Sequence, residues 1–287
     1  MREWVNRLGI RIGSAIDVQS IILLVAEGFL LVTAILALAV FPEEDRLNNI
    51  VICVFVSALL IMPWVFESSL GVEMPTMLKV FFILLILGGP VLGKIYKFYY
   101  RVEHWDKLLH TSSGFLFAII GSLLPQLMDK KNKEHSITLT VTYAFFFTLS
   151  VAVVWEFFEY AMDRFFNMDM QQDTWIPSVN SYLLGTEKGV IGRIPQISSV
   201  VVNGQEIAAD GYLDIGLIDT MSDMLVCTMG GIIYCIFNVL YAHRIRAVAW
   251  FKNLMPTISS ENAFTMPSDE FVSAGVNSMQ CKCDNNE

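Results

Sequence analysis

Six apolar stretches of about 20 residues each constrain this chain more than any other feature of its sequence. They cover 19–41, 48–66, 77–95, 106–128, 137–164 and 216–242. About 20 apolar residues in a helix cross the roughly 30 Å hydrocarbon core of a bilayer. Backbone polar groups at that depth must pair within their own segment, so such a run is read as a helix. At 54% hydrophobic and 16% charged residues, the composition is too apolar for a water-soluble domain of this length. The expected fold is an all-α membrane protein. It is a six-transmembrane helix bundle with an amphipathic N-terminal segment and a partly β loop between spans five and six.

Residues 1–18 carry Arg2, Arg7 and Arg11 but neither a compact apolar core nor a small-residue cleavage site, so no cleavable signal is expected. Trp4, Leu8 and Ile12 recur at every fourth position, as in a helix lying on a membrane surface; a frayed lead-in to the first span fits equally well. Residues 19–252 form the membrane domain, and the Ser-, Asn- and acid-rich tail 253–287 is expected to be disordered. Cys53, Cys227 and Cys235 lie in spans and behave as small apolar residues, while Cys281 and Cys283 are too few for a zinc site. The net charge of −9 gives no nucleic-acid footprint, and the expected partners are membrane lipids. With the N-terminus inside, Lys and Arg number 11 in the inner segments and 8 in the outer ones. That bias places both termini in the cytoplasm, although the basic stretch Lys94–Lys107 runs against it.

Within this apolar frame sit three pairs of ionisable residues: Asp106 and His110, Glu156 and Glu159, Asp219 and Asp223. Their i, i+4 and i, i+3 spacings put each pair on one helix face. Such groups are costly in a membrane and mark pathways or sites. The first pair opens span four, the second closes span five and the third opens span six. In an alternating topology these three positions share one membrane face, one or two turns below its surface. The long loop 165–215 leaves from the same face. Around Asn203-Gly204 it reads as a β-hairpin, and Trp175 and Pro177 are candidates to dock it at the interface.

Five carboxylates in one layer repel one another and need compensation by basic side chains, protons or a bound cation. A carboxylate set with one imidazole suits a divalent metal ion, Mg, Mn, Fe or Zn. The expected ligands are Asp106, His110, Glu156, Asp219 and Asp223, with Glu159 as general base or a further ligand. His104 is an auxiliary candidate, and Lys107 or Arg164 would meet an anionic head group. The bland alternatives are Asp106 and Asp219 as helix caps and His110 as a hydrogen-bonded core histidine. Gly88-Gly89-Pro90 should kink span three or allow close packing, and Gly114, Gly121, Gly230 and Gly231 read as helix-contact positions.

At the same residues the chain resembles the YjdF-like family of bacterial inner-membrane proteins of unknown function. The matching stretches are Trp105-Asp-Lys-Leu-Leu-His110 with Gly114-Phe115, Trp155-Glu-Phe-Phe-Glu159, and Asp219-Thr-Met-Ser-Asp223-Met224. The first of them is also similar to an element of VanZ-like membrane proteins. Thr111 departs from the family pattern, which has Phe there, and the loop looks longer than in typical members. The resemblance implies a multi-pass protein of the bacterial cytoplasmic membrane and supplies no activity.

Two functions from different classes fit these features. One is a metal-dependent membrane hydrolase or transferase acting on a lipid or lipid-linked substrate. The other is a transporter whose carboxylates bind and release a cation or protons, which would favour a site near the midplane and internal repeats. A non-catalytic structural protein would need none of the pairs.

Overall fold

The computed structural model describes residues 18–129, 135–207 and 211–258. The expected surface segment 1–18 falls outside them except for Val18, as does the tail beyond residue 258. Six helical segments are long and apolar enough to cross a membrane: Val18–Ala39, Glu43–Leu70, Thr76–Ile95, Trp105–Met128, Ile137–Phe166 and Leu217–Ala242. They match the six runs expected from hydropathy, shifted at their ends by a few residues. Apolar side chains such as Val25, Leu31, Val54, Phe55 and Phe157 point outward, as lipid-facing positions should.

The bundle has two cores. Spans one to three bury Ala26, Leu30, Cys53, Val56, Leu60, Ile83 and Val91 against one another. Spans four to six pack more closely and bury Leu116, Ala118, Ile119, Ala144 and Tyr234, with Phe251 and Leu254 closing that core from beyond span six. Small residues allow the close approach. A Cβ on Gly114 would run into the carbonyl of Cys227, and one on Gly230 into that of Thr111, so spans four and six touch backbone to backbone. Gly121 does the same against Ala144 and Phe147 of span five. Thr148 of span five donates to the Gly114 carbonyl at 3.3 Å.

Span three changes its helical winding at Gly88-Gly89-Pro90, where Gly88 also packs against Leu109 of span four. The helix widens into a π-helical stretch, Leu87–Ile95, because Pro90 cannot supply the amide that a regular turn requires. The Gly88 carbonyl accepts from Trp105 Nε1 at 3.1 Å, tying spans three and four together. Trp105 is thus a packing residue.

The long connection between spans five and six is partly β, as expected. Strand β5 (Val200–Val202) pairs antiparallel with β6 (Gln205–Ile207), and Asn203 and Gly204 turn between them with φ of 52° and 79°. Both positive values are those a two-residue type I′ hairpin needs. The stem is a non-local pair, β2 (Thr174–Ile176) with β7 (Tyr212–Asp214), and this pairing fixes Trp175 opposite Leu213. Strand β3 (Val179–Ser181) pairs with β4 (Gly192–Ile194). At the other end of the bundle, β1 (Val72–Glu73) pairs with β8 (Thr257–Ile258), so residues 253–258 are ordered against the turn before span three.

Candidate functional site

The six residues meet. Close packing of the start of span four, the end of span five and the start of span six brings them to one end of the bundle, as alternation requires. Asp223 lies at the centre, 1% exposed, and Glu156, Glu159 and Asp219 are also buried. Neither bland capping account survives. The residue before span four is His104, with φ of 60°, and Asp106 sits inside the first turn without capping it. Span six starts after Gly216 in the left-handed region, and the end amide of Ile218 is satisfied by Asp214 rather than Asp219.

Asp106, His110 and Asp223 form one group whose ligand atoms all lie within 4.8 Å of one another, and Glu156, Glu159 and Asp223 form a second. Asp223 belongs to both. His110 Nε2 is 3.5 Å from Asp106 Oδ1 and 3.6 Å from Asp223 Oδ2. Glu159 Oε1 accepts from Trp155 Nε1 at 2.8 Å, so this tryptophan orients a carboxylate of the cluster as well as meeting lipid. Glu156 Oε2 is buried with no hydrogen-bond partner among the described residues. Asp219, expected as a ligand, falls in neither group.

Its oxygens are otherwise engaged, through a residue given a different task by the sequence. Lys107 does not reach out to a head group. Its Nζ turns inward and bridges Asp219 Oδ1 at 2.7 Å and Asp223 Oδ1 at 2.6 Å, with Asp106 Oδ2 at 3.4 Å. Asp219 Oδ2 accepts from the Gln172 amide at 3.0 Å, which anchors the cap loop on the cluster. Gln171 Nε2 donates to Thr220, and both oxygens of Asp163 accept from the amides of Met170 and Gln171. Asp163, on the same helical stripe as the glutamates, therefore folds the start of the loop instead of joining the cluster. His104 points away: it is largely exposed and pairs with Glu103 at 3.3 Å. Glu27 of span one is also separate, accepting from Ser57 at 2.6 Å between spans one and two.

Tyr99 is a further neighbour that sequence spacing did not reveal. Its ring fills the space left open by Gly93, and its hydroxyl lies against Gly89. Burial, together with the negative charges of Asp106, Glu159 and Asp223, pushes the Tyr99 hydroxyl up from its ordinary value. It stays protonated beside the cluster and is available as a donor. A tyrosine in a short connecting turn gives no periodic signal; only the adjacent Gly-Gly-Pro bend hinted that something bulky packs there.

Residues 23–244 match the model of a family described as a predicted membrane protein (DUF2238). The chain belongs to that family. The match contains all six clustered residues, Lys107 and the whole cap loop. An uncharacterized protein of Thermotoga maritima is 27% identical over 103 residues, which are 36% of this chain and 52% of that protein. The chain thus spans about half the length of this curated relative. No solved structure matches the chain. The family description names a membrane protein and no activity, in keeping with the resemblance found at the three ionisable pairs.

Proposed function

We propose that the cluster is a divalent-cation site and that the protein is a metal-dependent hydrolase or transferase acting on a lipid or lipid-linked substrate. The supporting observation is Glu156 Oε2, buried without a partner in a trio with Glu159 and Asp223. An unpaired buried carboxylate oxygen costs several kcal/mol, on the order of 3–5 for a broken pair. A hard cation satisfies three converging carboxylates at once, and Mg, Mn, Fe or Zn suits this oxygen-rich set. Charge points the same way. Among the described residues, five carboxylates outnumber the two basic groups found at the cluster, Lys107 and His110.

Glu156, Glu159 and Asp223 would hold the ion, with Asp106 and His110 forming an adjoining group through Asp223. Asp219 is reassigned from ligand to anchor, since it holds Lys107 and the cap loop. A bound ion would supply Lewis-acid polarisation and a more acidic water. Glu159, oriented by Trp155, would act either as one of these ligands or as general base. Tyr99 would donate a proton or hydrogen bond to a leaving oxygen. The exposed Phe157 and Phe158, flanking the glutamates on the same helix, favour a substrate that arrives laterally from lipid. By the distribution of basic residues, the cluster would lie toward the outer face of a bacterial cytoplasmic membrane, with both termini inside.

The test is product formation from bacterial lipid extract, read by mass spectrometry with and without a chelator. Wild type should form product that is lost with chelator and in Glu159→Gln. Cation flux in proteoliposomes without any product would support transport instead and contradict the assignment.

A further inference from the structure

A second, separate site lies at the same end of the bundle. Phe41 and Pro42 at the end of span one, Asp45 and Asn49 at the start of span two, and Ile95–Lys97 with Arg101 after span three surround a cavity of about 240 Å³. Drug-sized ligands occupy pockets of about 300–1,000 Å³, so this one suits a head-group-sized molecule.

Its lining is polar where it need not be. Asn49 is 7% exposed, lines the cavity and makes no hydrogen bond among the described residues. A largely buried asparagine on the cavity wall offers its amide to a molecule held there. Lys97 and Arg101 are exposed, one helical turn apart, and form no ion pair among the described residues. Lys97 has φ of 60°, a conformation few lysines adopt, which sets its direction at the rim. The apolar wall is fixed: the Tyr96 ring is 6.0 Å from Phe29 and 6.5 Å from Phe41, and its hydroxyl is 3.0 Å from Thr33 Oγ1.

We propose that this cavity binds a phosphate group, held by Lys97, Arg101 and the Asn49 amide, with Asp45 taking a hydroxyl or ammonium carried on the same molecule. Basic pockets between membrane helices bind lipid head groups, and the aromatic wall accommodates the glycerol end. A phospholipid with a donor-bearing head group has the required combination, whereas inorganic phosphate supplies only half of it. The cavity lining shares no residue with the carboxylate cluster, and its test reads lipid binding rather than anything the cluster does.

The experiment is binding of short-chain phosphatidylethanolamine, phosphatidylglycerol, phosphatidylcholine and inorganic phosphate to the purified full chain in a neutral detergent, by calorimetry. The first two should bind saturably and more tightly than the other two. Lys97→Asn with Arg101→Gln should weaken them about tenfold or more, as loss of charge-assisted contacts does. Both positions are exposed and asparagine tolerates the positive φ, so the variant keeps its fold. Asp45→Asn should erase the preference over phosphatidylcholine. Equal binding of all three lipids, tighter binding of inorganic phosphate than of any lipid, or no loss in the double variant would overturn the assignment.

Discussion

Two lysines that turn into the bundle, at its opposite ends, show what separates a brace from a site. Lys79 of span three bonds Glu67 at 2.7 Å and Gln19 at 2.9 Å, and lies 5.2 Å from the centre of the Trp64 ring. The other oxygen of Glu67 accepts from the Met74 amide at 2.7 Å. One cation meets one carboxylate, and both oxygens are paired. Lys107 meets three carboxylates of a cluster of five, in which Glu156 Oε2 is buried with no hydrogen-bond partner among the described residues. A balanced and satisfied network ties helices together. An excess of acid with an orphan oxygen is what the proposed cation would balance.

The two clusters should therefore break differently. The largest effect is expected from Lys79→Met, which strands Glu67 in the bundle. Stability should fall by about 3–5 kcal/mol, and added Mn²⁺ should not restore it, as followed by thermal unfolding in detergent. Removing both charges, in Lys79→Met with Glu67→Met, should recover most of that loss, since the stranded charge is what costs.

Next comes the scaffold of the acidic end. Gly230→Val would force its side chain into the Thr111 carbonyl and push spans four and six apart. We expect a loss of about 1–3 kcal/mol from overpacking, together with loss of metal binding that Lys79→Met leaves intact in its folded fraction.

Lys107→Met should be milder than Lys79→Met, at about 1–3 kcal/mol, because Lys107 is partly exposed. Here Mn²⁺ should restore stability, by about 2.7 kcal/mol at a hundredfold excess over Kd. A metal-insensitive loss would make Lys107 a second brace.

The smallest effect lies in the cap loop. Burial and the neighbouring charges of Asp173, Asp163 and Asp219 raise the Asp169 carboxyl above its ordinary value. A raised carboxyl binds its proton more tightly folded than unfolded, so it costs stability as pH climbs through the carboxylate range. Asp169→Asn should stabilise at neutral pH by a few tenths of a kcal/mol, have no effect at strongly acid pH, and fade with added salt.

What was legible in the sequence follows from the range of each signal. The spans are local, because about 20 apolar residues in a row suffice, and so is the hairpin, because Asn203-Gly204 dictates its own turn. Alternation then carried Asp106, His110, Glu156, Glu159, Asp219 and Asp223 to one layer without any tertiary information. The partners of Lys107 were not legible: which way a lysine turns depends on two side chains of span six, 112 and 116 residues away in sequence. Nor was the β2–β7 stem, whose strands are far apart, or the pairing of Thr257–Ile258 with Val72–Glu73 that orders the start of the supposed tail. Spacing alone made Asp219 a candidate ligand, and its contacts with Lys107 and the Gln172 amide are what the proposed anchor role rests on.

The most direct measurement is calorimetric Mn²⁺ binding by the purified, chelator-stripped protein, comparing wild type with Glu156→Gln, Asp223→Asn and the comparator Glu67→Gln. The account predicts stoichiometric binding in wild type and in folded Glu67→Gln. It predicts a loss of at least about tenfold in affinity in the other two, the equivalent of one good ligand contact. Wild type without Mn²⁺ or Zn²⁺ binding, or binding untouched by Glu156→Gln and Asp223→Asn, would contradict it.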